Sequence, residues 1–473
     1  MTPGPASARA FLGDALHTPA PGRMEFLPDA LIEVDRSGVI QAIHRKDQAQ
    51  TAAAAERHRA EGTLVALRKG EYFVPGLIDL HVHAPQWPQL GLALDLPLEE
   101  WLQAYTFPLE ARCADAGYAR AVYGSLVDGL LANGTTTAVY FGTIHLPATQ
   151  VLADTCLGRL QRALIGRVAM DDPEQCPVYY RDPSAHVAES QTRDFIDYVR
   201  SMAGNESGLV LPVITPRFIP SCTDELLERL GRLARETGCH VQTHCSESDW
   251  EHRFVLDRYG ITDTAALHRL GLLSRRTILA HGNFIDGPDI DTILEAGAAI
   301  AHCPLSNVYF SDAVFPVHRM LERGVHLGLG TDISGGASPS ILENARQAVI
   351  ASRSLESGVD SRLERALRRS PGSRIDAPTA FWLATAGGGE ALDLPIGLFR
   401  EGYQFDAVIL DGRTPDSNLQ LRDDASPEEV LQKIVYHATR TDIREVWVAN
   451  RRVHARHRPD APAAPQAPPL AAT

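Results

Sequence analysis

A chain of 473 residues is too long for one small core and has room for a large barrel with a lesser domain, or for two or three ordinary domains. Hydrophobic residues at 44% and charged residues at 22% are ordinary for a globular protein, and a formal net charge of -14 argues against a nucleic-acid partner. No stretch approaches the roughly 20 apolar residues of a membrane span, and residues 1–10 lack the basic region and apolar core of a signal peptide, so a cytoplasmic protein with no membrane partner is expected.

Residues 1–72 hold short apolar segments separated by turn residues. Leu31-Ile32-Glu33-Val34, then Asp35-Arg36-Ser37-Gly38, then Val39-Ile40 predict a β-hairpin. Residues 49–60, rich in Ala and Arg, predict a helix or a loose segment. From Tyr72 to about Leu394, short apolar runs alternate with longer amphipathic ones. Strands are expected at 73–74, 136–140, 164–168, 209–214, 240–243, 277–280, 298–302 and 326–329. Helices are expected between them, among them 224–237 and 289–296. Eight strands alternating with helices predict a (β/α)8 barrel. An open doubly wound sheet calls for a Gly-rich dinucleotide turn after its first strand, and the sequence has none there. Beyond the barrel, 405–410 and 445–448 read as strands of the same type as the N-terminal ones. The expected fold is α/β: a (β/α)8 TIM-like barrel over 73–394, with a small β-sandwich domain built from 1–72 and 395–456. Residues 457–473, rich in Pro and Ala, predict a disordered tail.

The strongest chemical signal is Pro75-Gly76-Leu77-Ile78-Asp79-Leu80-His81-Val82-His83. Alternation on a strand points His81 and His83 to one face, where two imidazoles can share a metal. An H-x-H pair alone is weak, but barrel active sites sit at the C-terminal ends of strands, and this pair ends the first. In His240-Val241-Gln242-Thr243-His244-Cys245-Ser246-Glu247, His240, Gln242 and His244 share a face, and His244 ends the run where a third ligand would sit. Glu247 follows in the loop, either as a helix-cap carboxylate or as a catalytic acid. Leu279-Ala280-His281-Gly282 and Gly328-Leu329-Gly330-Thr331-Asp332 place a further His and an Asp after apolar strands. Asp332 alone could be an N-cap. With histidines at three other strand ends it becomes a ligand or a base. Three nitrogens, one carboxylate oxygen and an open position suit a catalytic zinc or iron site.

These motifs resemble the amidohydrolase superfamily, in its one-metal subtype. The resemblance implies His81, His83, His244 and Asp332 as metal ligands, with zinc, or iron(II) in its place, as the metal. The two-metal subtype uses a carboxylated lysine as a bridge. The only lysines are Lys46, Lys69 and Lys433, so no lysine lies between Lys69 and Lys433 to serve. Within the superfamily the chain is similar to the guanine deaminases. The likeness lies in His81-Val82-His83-Ala84-Pro85-Gln86, in Leu96 to Leu102, in Tyr105 to Glu110, in Asn133-Gly134-Thr135-Thr136-Thr137, in Thr215-Pro216-Arg217-Phe218, and in Gly330-Thr331-Asp332-Ile333-Ser334-Gly335-Gly336. It runs from about residue 10 to 455.

That resemblance implies hydrolysis of guanine to xanthine and ammonia by a homodimer. It implies that Arg217 donates to the purine carbonyl, Gln86 pairs with the ring edge and Phe218 packs on the ring. It also implies that Asp332 accepts a proton from water, Glu247 protonates a ring nitrogen and His281 hydrogen-bonds the water or the tetrahedral intermediate. Trp87, after Gln86, is a departure whose bulk is expected at the pocket's outer edge. Another aminohydrolase of the same subtype, acting on cytosine, a modified purine or a triazine, is the alternative. A non-catalytic scaffold predicts a damaged metal site, and all four ligand candidates and Glu247 are intact. His302 reads as a core histidine, while His145 is open between a pocket and a structural role. The seven cysteines form no C-x-x-C pair and read as reduced, with Cys245 and Cys303 small buried residues.

Overall fold

A computed structural model of the chain describes residues 7–311, 313–415 and 417–456. The Pro/Ala-rich segment 457–473 lies outside the described residues. The N-terminal segment supplies β1 (Arg9–Ala20), β2 (Arg23–Val34), β3 (Ile40–His44), β4 (Leu64–Ala66) and β5 (Glu71–Pro75). Next come β6 (Leu77–His83), β7 (Thr135–Phe141), β8 (Arg162–Ala169), β9 (Val210–Pro216), β10 (His240–Cys245), β11 (Thr277–His281), β12 (Ala299–His302) and β13 (His326–Leu329). The C-terminal segment adds β14 (Ala407–Asp411), β15 (Ile443–Val448) and β16 (Arg451–Ala455).

Strands β6 to β13 pair in chain order, all parallel, as a barrel. It is closed at its C-terminal end by bonds between β6 and the segment after β13. The Asp332 N–H donates to the His81 carbonyl at 2.8 Å, and the His83 N–H donates to the Ile333 carbonyl at 2.9 Å. The buried Asp79 carboxylate adds to this seam, accepting the Thr331 N–H at 2.9 Å and its hydroxyl at 2.5 Å. Burial pushes the Asp79 carboxyl up to about 7 despite these donors. A side chain at Gly330 would not fit this seam, since a Cβ there would lie 2.7 Å from the His81 Cβ. The barrel seam thus fixes Asp332 beside the two histidines of β6.

Alternation along β10 divides as its sequence predicts. Gln242 points into the barrel and donates to the Tyr140 carbonyl at 2.8 Å and the Thr215 hydroxyl at 2.9 Å. Val241 and Cys245 face outward into the apolar layer beneath helices such as Asp224–Thr237. His244, on the inward face, is left at the barrel mouth.

The two chain ends build one small domain, as expected. Its strands form a single mixed sheet in the order β16-β15-β14-β5-β1-β2-β3, with β4 on β1. The sheet curls over its own core. The Phe11 ring on β1 lies 5.1 Å from Trp447 on β15, although β5 and β14 intervene and a flat sheet would set those strands about 14 Å apart. The hairpin at 31–40 is present as β2 and β3, with Asp35 accepting the N–H groups of Ser37 and Val39 in the turn. One expectation shifts. Residues 73–74 belong to β5, which pairs with β14 of the small sheet, and the first barrel strand is β6.

A buried ion pair ties the two sheets. Arg162, on β8, donates through Nε at 3.1 Å and Nη2 at 3.3 Å to Asp406, just before β14. Removing one partner of such a pair leaves an uncompensated buried charge. Arg162→Met is expected to lower unfolding stability by about 3–5 kcal/mol, measured by urea denaturation. A loss below about 1 kcal/mol would show that Asp406 relaxes into solvent.

Candidate active site

Five of the eight barrel strands, β6, β9, β10, β11 and β13, deliver residues at the same end. His81 and His83 close β6, His244 lies near the end of β10, His281 ends β11 and Asp332 follows β13. Glu247 sits three residues past His244, and Arg217 and Phe218 follow β9. Gln86 lies in the short 3-10 turn Ala84–Gln89 after β6. The structure brings all nine together. One pocket is lined by His83, Gln86, Arg217, Phe218, His244, Glu247 and Asp332, with Leu98, Trp101, Leu102, Phe310 and Gly335. His81 and His281 stand behind it within the same cluster of ligand atoms.

The nitrogens and oxygens converge on one point. His81 Nε2 is 3.2 Å and His83 Nε2 3.5 Å from Asp332 Oδ1, and His83 Nε2 is 3.0 Å from His244 Nε2. His281 Nε2 lies 3.5 Å from Glu247 Oε1. Outer contacts fix two of the rings. His244 Nδ1 donates to the Arg217 carbonyl at 2.6 Å, and His281 Nδ1 to Asn307 Oδ1 at 3.0 Å. Each proton on Nδ1 leaves an Nε2 lone pair aimed at the centre, as ligating histidines require. Burial, with the mutual repulsion that charging several of these rings at once would bring and the charge of Arg217, keeps His81, His83 and His244 well below their ordinary range and therefore neutral. The Nε2 atoms of His81 and His281 are buried and have no hydrogen-bond partner among the described residues. Neutral, unpartnered nitrogens beside a carboxylate fit a divalent cation of the zinc type.

Glu247 is held from both sides of its backbone. Its N–H donates to Glu251 Oε2 at 2.7 Å, and its carbonyl accepts from Asn283 Nδ2 at 3.0 Å. Burial, reinforced by the charge of Asp332, pushes the Glu247 carboxyl well above its ordinary range, which favours its proton-carrying form.

Several residues of the pocket had no role assigned from sequence. Glu110, fully buried, accepts from Arg217, Gln86 and Tyr180 and forms the floor behind the pocket. The Ser334 N–H donates to Gln86 Oε1 at 3.0 Å. Leu98, Trp101 and Leu102 come from the insertion between β6 and β7, and Phe310 comes from the one between β12 and β13. The Trp101 and Phe310 rings meet with centroids 4.9 Å apart. Trp87 is not at the pocket edge. Its indole N–H donates to Ser125 and its ring packs on Gly129, both in the helix Ala116–Ala132. His302 is a core residue stacked on Phe315, and His145 starts the helix Leu146–Arg159, outside the pocket lining. Cys245 and Cys303 are buried and free.

A parallel barrel with imidazoles and a carboxylate converging at its C-terminal mouth defines a metal-dependent hydrolase of the barrel type. The pattern of the amidohydrolase family matches residues 72–453. The guanine deaminase of Dictyostelium discoideum is 35% identical over 461 residues, covering 94% of this chain and 98% of its own length. The guanine deaminase of Homo sapiens is 35% identical over 458 residues, covering 95% of this chain and 97% of its own length. A crystal structure of guanine deaminase from C. acetobutylicum with guanine bound in the active site is 28% identical, with a TM-score of 0.83 over 95% of this chain and all (100%) of that one. The chain belongs to the amidohydrolase family, in its guanine deaminase branch.

Proposed function

We propose that this chain deaminates guanine by hydrolysis, giving xanthine and ammonia. The observation that carries the reading is one pocket in which Arg217, Gln86 and Phe218 face the His83, His244 and Asp332 cluster. A flat base with a carbonyl and ring N–H groups needs a donor, an amide that both donates and accepts, and an apolar wall. Those are the three side chains present. The relatives that carry the guanine deaminase name align over nearly the whole chain.

His81, His83, His244 and Asp332 would hold the metal, which we read as zinc; iron(II) accepts the same ligand types. When bound, such a metal supplies a water whose pKa falls from 15.7 to about 7. Asp332, pinned by its N–H to the His81 carbonyl, takes the proton of the attacking water. Glu247, protonated by burial, donates to the ring nitrogen beside C2, so that the ring does not carry the developing charge. His281, its Nε2 free to accept, hydrogen-bonds the attacking water. As the C2–N bond breaks, the proton held by Asp332 passes to the exocyclic nitrogen, which leaves as ammonia, while the new C2 hydroxyl gives its proton to Glu247 and becomes the carbonyl. Phe218 holds the ring plane and excludes water from that face.

The same reading carries a homodimer in the cytoplasm. Exposed Ile350, Val359, Leu363 and Leu367 offer apolar surface for a second copy, and seven free, buried cysteines fit a reducing compartment. Among the described residues no helix is long and apolar enough to cross a membrane.

Gln86 tests the pocket without touching a metal ligand. Gln86→Ala is expected to lower kcat/KM for guanine about 10- to 100-fold while metal content stays at the wild-type level. Unchanged kcat/KM would remove Gln86 from the substrate edge.

A further inference from the structure

Glu110 is the hub of the pocket floor. Its two oxygens take four donors: Arg217 Nη1 at 2.7 Å and Nη2 at 3.2 Å, Gln86 Nε2 at 2.7 Å and the Tyr180 hydroxyl at 2.7 Å. It is completely buried, and Arg217 beside it is 2% exposed, so the pair is not screened by water. An ionised carboxylate only accepts hydrogen bonds. Gln86 must therefore turn its NH2 toward Glu110 and its oxygen toward Ser334, which offers an N–H at 3.0 Å and a hydroxyl at 3.2 Å. Glu110 thus has two effects on a ligand it does not line. It fixes which way round the Gln86 amide is presented, and it cancels the charge of Arg217.

The second effect bears on turnover, and it rests on the reading of the reaction as guanine to xanthine. Hydrolysis replaces an exocyclic amine by a carbonyl. The product gains a ring N–H beside the new carbonyl, which makes it a stronger acid than the substrate. An uncompensated guanidinium would hold that product as its anion. We propose that Glu110 is a positioning residue that sets the charge selectivity of this pocket, making it take the uncharged substrate and let the more acidic product go.

Glu110→Gln is nearly isosteric and leaves Arg217 charged. The expected outcome is opposite movement of two constants. KM for guanine should rise about 10-fold as Gln86 loses its fixed orientation, while xanthine, assayed at mildly alkaline pH where it is an anion, should inhibit about 10-fold more tightly. A merely structural role would weaken both ligands together, and that result would overturn the proposal. Tyr180→Phe removes one donor to Glu110 but no charge, so its ratio of xanthine to guanine affinity should stay within about 3-fold of wild type. A shift in Tyr180→Phe as large as in Glu110→Gln would also overturn it. If Glu110→Gln does not fold, Gln86→Glu, which adds a second carboxyl to the same floor, should weaken xanthine more than guanine; equal weakening would count against the proposal. Calorimetric binding of the two purines separates the two levels. Wild type that binds but does not convert guanine sinks the reaction, while the affinity ratio still decides the role of Glu110.

Discussion

Glu247→Gln is expected to lower kcat for guanine about 10²- to 10⁴-fold while the protein keeps its full metal content. Gln occupies the same volume, and the backbone at Glu247 is fixed independently of the side chain by Glu251 and Asn283. None of the four proposed ligands is changed. What Gln lacks is a proton it can give at the ring nitrogen and take back from the new C2 hydroxyl. KM should move much less than kcat, because the residues proposed to grip the purine, Gln86, Arg217 and Phe218, are unchanged. Steady-state kinetics with metal analysis on the same sample decides it, and near-normal turnover would remove Glu247 from the chemistry.

Stripping the metal is expected to have the other large effect. A chelator should abolish turnover, by about 10³-fold or more, since the attacking water then keeps its ordinary pKa. It should also lower Tm, because a cation bound at 1,000 times its Kd adds about 4 kcal/mol to the folded state. The structural reason is the buried cluster. His81, His83 and His244 are neutral, and the inward nitrogens of His81 and His281 have no hydrogen-bond partner among the described residues. Added zinc should restore activity and Tm together. A chelated protein that keeps both would show that the cluster is not a metal site.

The legible parts of this sequence were those governed by strand geometry. On β10 an alternation of period two separated Gln242 and His244 from Val241 and Cys245, and the barrel honours that division. The end-of-strand rule located His81, His83, His281 and Asp332 for the same reason, because a parallel barrel presents all its C-terminal ends on one face. Residues 73–74 could not be placed this way. Pro75-Gly76 breaks one apolar run into two strands, and only long-range pairing with Ala407–Asp411 shows that the first of them leaves the barrel. Glu110 was out of reach for a different reason. It lies in the insertion between β6 and β7, where no strand period fixes a direction, and its partners Gln86, Tyr180 and Arg217 are scattered along the chain. The bulk of Trp87 misled because a 3-10 turn rotates it onto the neighbouring helix while Gln86 faces the pocket.

The most direct test of the whole account is turnover of guanine by purified, zinc-loaded protein, followed by loss of guanine absorbance and release of ammonia, beside cytosine, adenine and 8-oxoguanine. One ammonia per guanine consumed is expected, with kcat/KM for guanine at least about 100-fold above the other bases. Preferred turnover of another base would keep the metal chemistry and contradict the roles of Gln86, Arg217 and Phe218, and no turnover of any base by fully loaded protein would contradict the assignment as a deaminase.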